Sequence, residues 1–461
     1  MNLYRRLDDH LQRHSETGDP VRGTLSGGRI FMIWLAANLV VTTMLTGTLF
    51  VPGVDYSTAA GMIVLGTILG ALVLITVGAI GTRTGLATMA LTRAPFGLRG
   101  SMLPVAANVM VLMGWSWVQA MLAGITVDHL ISTVTGAASN PILWSVICQI
   151  IVVALAIFGH QGIARIEPWL AVLILALMAW VFYTAFSSFS PTDFEGLATD
   201  PALGLDGVAV LDIVIYTAIS WTVLSADLNR FARSPKVGAA GAGLGYTTST
   251  VLAMLMGLTG ISYFLARGQS HAEFDPAPFV DSFGTVVAVV IFLSVMATNT
   301  MAVYGMTTSA VTSHAARHLG LRFLPTALVL GVISIIGATW MALLDAFADF
   351  LALIGAFFIP VFAIVIVDYL FIRRGNYGRD LLLSSGGTYW FRSGVNWTAM
   401  AVWVLGAAAS YVLGYLWIPP VIGSAVPVFL LSAVLYLALS WHRRRPSAPA
   451  TEELEEVAAH A

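Results

Sequence analysis

Asn108, Trp115 and Gln119 lie seven and then four residues apart in one apolar run, so a helix would set an amide, an indole and a second amide on one stripe. An indole offers a face for stacking, and a carboxamide can donate and accept at a ring edge. That vocabulary suits a flat heterocycle. Its plain alternative is helix packing, with the indole filling space and the glutamine bonded to a neighbouring helix. Further along, Ser294-Val-Met-Ala-Thr-Asn-Thr300 puts Ser294, Ala297 and Thr298 on one helix face, with Asn299 turned about 100° from Thr298. Oxygens on that face suit a hard alkali ion, or the run packs helices through small residues. Two more runs are rich in polar groups: Asn38, Thr42, Thr43, Thr46, Gly47 and Thr48, and later Thr217, Ser220 and Thr222.

The elements that must position these groups are apolar runs near 20 residues long, the length a helix needs to cross a hydrocarbon slab about 30 Å thick. We place spans at 30–50, 57–81, 101–131, 141–159, 166–186, 208–227, 238–266, 282–309, 324–344, 346–372, 395–417 and 420–441. Twelve spans put both termini on one side. Of the 22 Lys and Arg residues, 21 fall in the gaps of that side, and only Arg267 lies opposite. Basic loops stay cytoplasmic, so the alternation implies an all-α integral membrane protein of the cell (plasma or inner) membrane with both termini cytoplasmic. Acids cluster in opposite gaps, at 193–206 and 273–281.

Composition supports this reading, with 58% hydrophobic and 10% charged residues. The single Cys148 excludes an intramolecular disulfide and a thiolate metal cluster. Arg5-Arg6 is followed by Leu-Asp-Asp-His rather than an apolar run, so neither a cleaved nor a twin-arginine signal is expected. No nucleic-acid surface is implied. An intramembrane enzyme would need clustered acids, histidines or a metal motif, and the nine histidines are scattered. The chain therefore reads as a non-enzyme. Polar runs in the first and sixth spans are what the discontinuous helices of an inverted-repeat transporter would show, because unwound backbone can meet cargo and ion near midplane.

From about residue 30 to Leu370 the chain resembles the nucleobase:cation symporter-1 family, the permeases for cytosine, purines, hydantoins, allantoin and thiamin precursors. The resemblance rests on Leu45-Thr-Gly-Thr-Leu49, Gly81-Thr-Arg-Thr-Gly-Leu86, Arg93-Ala-Pro-Phe-Gly97, Gly114-Trp115, Ser225-Ala-Asp-Leu-Asn-Arg-Phe231, Ala297-Thr-Asn299, Ile359-Pro360 and Val367-Asp-Tyr-Leu370. It implies a LeuT-type fold of 12 transmembrane helices, with a 5+5 inverted repeat and two extra C-terminal helices. The expected organisation is a cytoplasmic tail at 1–28, a transport core at 29–372 with repeats at about 29–186 and 208–372, appended spans at 395–441, and a disordered cytoplasmic tail at 442–461. It also implies import of a nucleobase or related planar heterocycle (cytosine, purine or hydroxymethylpyrimidine-like) by symport with Na+ or H+, without a cofactor. The alternative is an amino-acid or amine transporter on the same fold. The Leu-Thr-Gly-Thr-Leu run resembles the branch linked to hydroxymethylpyrimidine uptake.

Carried over by position, Trp115 resembles the family's stacking tryptophan, Gln119 a ligand-binding glutamine one turn later, and Asn299 the ligand-binding asparagine. Thr217 and Asn38 join this substrate set from the two discontinuous spans. The cytosine-binding branch carries its glutamine three residues before the tryptophan, where this chain has Leu112. The aromatic that closes the ligand sandwich from the sixth span aligns with Ala218, so the second stacking surface is missing or comes from Tyr216 or Trp221. For the cation, the resemblance implies the backbone carbonyls of Ala36 and Leu39 with Ser294, Ala297 and Thr298, one hydroxyl fewer than the sodium-binding pattern. Sodium at that site, or proton carriage by Asp212 and Asp349, are the two couplings expected. Asp227 and Arg230, spaced i, i+3, are expected at a cytoplasmic gate.

Overall fold

In hydrocarbon every backbone amide must find its partner within the chain, which leaves helices as the economical answer for these sequences. The computed structural model describes residues 20–136, 138–158, 160–269, 274–313, 320–383, 385–416 and 423–444. The expected tails at 1–28 and 442–461 lie largely outside them. Among the described residues the chain is helical, with two isolated β-bridges, Leu25 with Ala232 and Arg392 with Val395.

We number the main helices α1 (Gly27–Asn38), α2 (Val41–Thr48), α3 (Tyr56–Thr84), α4 (Met102–Thr135), α5 (Pro141–Phe158), α6 (His160–Ser188), α7 (Gly207–Thr222), α8 (Ser225–Asn229), α9 (Pro235–Ala266), α10 (Thr285–Val311), α11 (Phe323–Gly337), α12 (Phe347–Val367), α13 (Trp397–Tyr411) and α14 (Ala425–Ser440). Among the described residues, nine helices are long and apolar enough to cross a membrane, and α1 with α2 forms a bent pair that qualifies as one more. Two shorter apolar helices, α7 and α11, lie where the sixth and ninth spans are predicted.

The first span breaks at Leu39 and Val40, and its halves diverge by 57°. No proline is needed. Val40 is extended, and the Asn38 amide turns from its own helix to bridge the break: Nδ2 donates to Thr250 and, at 3.3 Å, to Ser249 of α9, while Oδ1 accepts from Thr43 of α2 at 3.2 Å. An asparagine side chain that bonds elsewhere removes part of the incentive to continue a helix. The sixth span is interrupted too, with Val223 and Leu224 separating α7 from α8 and the Leu224 amide donating to Trp221 O at 3.1 Å.

Packing is close where glycines permit it. A Cβ on Gly47 of α2 would meet Met254 O at 2.0 Å, and one on Gly257 of α9 would meet Met44 O at 1.8 Å, so the two helices cross backbone to backbone. The pairings repeat in a pattern. Helix α3 packs on α7 as α9 packs on α1 and α2; α4 packs on α5 as α10 packs on α11; α6 lies on α1 as α12 lies on α7; and α4 packs along α10. Helix α14 packs on both α12 and α13 at the outside of this arrangement.

Candidate binding site

The broken helices and the α4/α10 pair enclose a cavity of about 400 Å³. It runs from Thr42, Trp115 and Gln119 to Arg93, Asp227 and Arg230 on the arginine-bearing side. Beyond the Trp115 end lies a cluster of aromatic rings. Trp115 meets Phe347 and Phe350 of α12 edge to face, each at 5.6 Å, and Phe274 stacks on Phe347 at 3.9 Å. Phe274 and Phe347 are both buried behind Trp115, and neither lines the cavity itself.

Trp115 is half-buried because its ring forms part of the wall, and Gln119 follows one turn later on the same stripe. The Gln119 Oε1 is buried and accepts no hydrogen bond from the protein. A buried carbonyl oxygen without a donor costs free energy, and this one sits on a helix that lines the cavity. Opposite, Ser220 and Trp221 of α7 reach the wall, with Val223 and Leu224 at the break. Trp221 therefore supplies the sixth span's aromatic surface. Tyr216 does not: it turns to Asp212 and Ser424 and packs against Gly355.

Several expected ligand residues lie elsewhere. The Ala218 position faces α3, where a Cβ on Gly70 would meet the Ala218 Cβ at 2.2 Å, and no aromatic ring fits such a crossing. Thr217 donates to Ile213 O at 3.0 Å on its own helix, and Asn38 bridges the first break; neither lines the cavity. Asn299 is fully buried behind the wall in a closed ring of bonds. It accepts from Ser116 Oγ at 2.7 Å and donates to Gln149 Oε1 at 2.8 Å, while Gln149 Nε2 donates to Ser116 Oγ at 2.9 Å. This ring joins α4, α5 and α10. Gln149 escaped sequence reading, although a lone amide in the strongly apolar fourth span was its signal.

The cation set is split as well. Ala36 and Thr298 line the cavity, and Leu39 ends α1 at the break with non-helical ψ of 71°. Ser294 Oγ is buried with no bonding partner, whereas the Thr298 hydroxyl donates to Ser294 O at 2.9 Å. Ala297 packs on Leu170 and Leu155. An unspent hydroxyl and a helix-end carbonyl are oxygen ligands of the kind a hard cation takes; Ala297 adds only a packing contact.

Neither candidate proton carrier touches the cavity. Asp212 is buried and accepts from the amides of Ser424 at 2.6 Å and Ala425 at 3.2 Å, so it caps the start of α14 from a distance. Asp349 is exposed rather than buried and accepts from Tyr415 at 3.0 Å. Lying in the first turn of α12, Asp349 is thus not the buried carboxylate that proton carriage calls for. Asp227 and Arg230 line the end of the cavity away from Trp115. Asp227 accepts from the Thr88 amide at 2.9 Å, tying α8 to the turn between α3 and α4, and the Arg230 guanidinium lies 5.1 Å from the Phe231 ring. Arg93, which also lines this end, donates to Thr312 O at 3.1 Å and bridges to the end of α10.

A family model described as a permease for cytosine/purines, uracil, thiamine and allantoin matches residues 26–435. A Bacillus subtilis protein named as a purine-cytosine permease, YxlA, is 24% identical over 496 residues, covering 99% of this chain and 100% of its own length. The cytosine permease of Escherichia coli K12 is 25% identical over 408 residues, covering 87% and 90%. Among solved structures, the inward-facing conformation of Mhp1 superposes with a TM-score of 0.79 at 19% identity, covering 93% of this chain and 92% of that one. The closed conformation of Mhp1, a nucleobase-cation-symport-1 family transporter with bromovinylhydantoin bound, superposes with a TM-score of 0.74 at 19% identity, covering 95% and 97%. At such identity the likeness concerns the fold, which is the helical transporter fold of Mhp1.

Proposed function

The chain belongs to the family of permeases for cytosine/purines, uracil, thiamine and allantoin, and from that membership we propose that it imports a planar nucleobase-like heterocycle by symport with Na+ or H+. The observation that carries this reading is the cavity wall itself, in which Trp115, Trp221 and Gln119 line one space of about 400 Å³, with the Gln119 Oε1 buried and unbonded. Rings give stacking that tolerates different heterocycles, and the amide oxygen selects a ligand that presents an N–H. Trp115 and Gln119 are the substrate residues of this reading, joined by Trp221; Asn299 holds the wall through Ser116 and Gln149.

The mechanism is alternating access. Helices α7 and α11 complete a set of twelve spans, with residues 29–186 and 208–372 as inverted repeats and 395–441 appended. The repeated pairing of α3 with α7 and of α9 with α1 and α2 supports that organisation. Both termini are cytoplasmic in this reading, so the arginine-lined end of the cavity faces inward with Asp227 and Arg230 at its gate, and the Phe274–Phe347 stack beyond Trp115 lies on the outer side. A cation between the α1 break and Ser294 would order the first discontinuous helix and so raise substrate affinity, and substrate would raise cation affinity by the same factor.

Binding of pyrimidines, purines, hydantoins, thiamin precursors and amino acids to the detergent-purified protein, with and without sodium and across pH, tests the reading. One heterocycle class binds more tightly with sodium or at low pH. Trp115→Ala weakens that ligand by about 1 to 3 kcal/mol. Amino-acid binding unaffected by nucleobases, or unchanged affinity in Trp115→Ala, refutes it.

A further inference from the structure

A second cavity, of about 500 Å³, opens between the end of α12 and the start of α13 and shares no lining residue with the central one. Its wall carries Arg373, Arg392 and Arg443. We propose that this cavity binds a phosphate group, presented either by the headgroup of an anionic lipid or by free phosphate.

Two independent observations point to an anion. The first is Arg373, whose side chain is only 6% exposed and whose Nε makes no hydrogen bond. The Asp368 carboxylate lies 3.9 Å from that nitrogen, beyond hydrogen-bond reach, and the guanidinium rests over the Tyr389 ring at 5.0 Å. A buried guanidinium whose ion pair is this long and whose Nε makes no hydrogen bond is under-satisfied, and an oxyanion in the cavity it lines would supply a further acceptor. The second is the start of α13. Asn396 occupies the cap position, where an asparagine usually accepts from the first-turn amides. Here its amide is diverted: Nδ2 donates to Pro95 O at 2.6 Å, and Oδ1 accepts from Arg443 Nη1 at 2.8 Å. The first turn of this 15-residue helix has no side-chain cap, and its residues Trp397 and Thr398 line the cavity. Uncapped amides at a helix start and a converging set of guanidiniums are complementary to phosphate oxygens.

Charge and position agree. Three arginines line the cavity, and two carboxylates lie near it: buried Asp368, and Asp380, whose Oδ2 accepts from the lining residue Thr388 at 2.9 Å. Trp397 is 64% exposed, and Phe371 at the adjoining end of α12 is 47% exposed. An exposed tryptophan beside arginines marks the level of lipid headgroups, and basic pockets between helices on the cytoplasmic side suit anionic headgroups.

The full-length protein, stripped of lipid in detergent, would be titrated with phosphatidylglycerol, phosphatidylcholine and inorganic phosphate and read by native mass spectrometry and by thermal shift. The expected result is retention of phosphatidylglycerol over phosphatidylcholine, weakened about thirtyfold in the Arg392→Ala/Arg443→Ala double variant, at roughly fivefold per arginine. Exposed Arg392 alone, as Arg392→Glu, serves if the double variant does not fold. Phosphatidylglycerol retained while inorganic phosphate is inert identifies a lipid headgroup. Stabilisation by inorganic phosphate without lipid preference, lost in the same variants, identifies free phosphate. Equal retention of both lipids with no effect of phosphate, or wild-type binding in the variants, overturns the proposal.

Discussion

The two discontinuous helices meet the central cavity in opposite ways. The first offers mostly small groups, Ala36, Ala37 and Thr42, and turns its amide, Asn38, outward to hold the break against α9. The sixth offers Ser220 and Trp221, and spends Thr217, Tyr216 and Asp212 on its own helix or on α14. The first helix therefore contributes a stabilised bend, and the sixth contributes an aromatic stretch of the cavity wall. Polar content was similar in the two sequences, so the difference lies in where neighbouring helices leave room.

The comparison breaks most severely at the first helix's contact with α9. Gly47→Val would drive a side chain into Met254 O, a backbone atom that cannot move aside, and the cost should exceed about 3 kcal/mol. Loss of a monodisperse folded protein in fluorescence-detected size-exclusion chromatography is the expected outcome; a normal profile would mean the helices are further apart than described. Next comes the recognition side. Trp221→Ala should weaken the heterocycle by about 1 to 3 kcal/mol in equilibrium binding, while Tyr216→Phe, which removes only the hydroxyl held by Asp212 and Ser424, should leave affinity unchanged. Equal losses in both variants would erase the distinction between the two faces of α7. The smallest effect sharpens the comparison: Asn38→Ala should lower thermal stability by about 1 kcal/mol, typical of an interhelical side-chain bond in a membrane, and weaken cation dependence more than substrate contact. A binding loss as large as that of Trp221→Ala would place Asn38 in the cavity after all.

Much of the architecture was legible beforehand. The third span was placed at 101–131 and forms at Met102–Thr135, and the seventh was placed at 238–266 and forms at Pro235–Ala266. The spacing of Asn108, Trp115 and Gln119 predicts one stripe; the cavity receives Trp115 and Gln119, whereas Asn108 donates to Ser309 at 3.1 Å and does not line it. Asn299 and Ala218 show the limit. Each sits on a correctly placed helix, yet Asn299 is bonded to Ser116 and Gln149 and Ala218 is pressed against Gly70. A rotation of 100° per residue separates a wall position from a packing position, and no single helix carries the information that fixes that rotation.

Apolar run length and basic-loop alternation by themselves determined that the chain is a helical membrane protein, and the placement of its spans, because each segment is judged against the same hydrocarbon slab independently of the others. The direction in which Asn38 points, the choice of Trp221 over Tyr216, the three-residue ring around Asn299 and the arginine cavity at α13 were decided only by tertiary structure. Those features depend on residues as far apart as Asn38 and Thr250, or Asn396 and Pro95, whose meeting is set by the packing of whole helices.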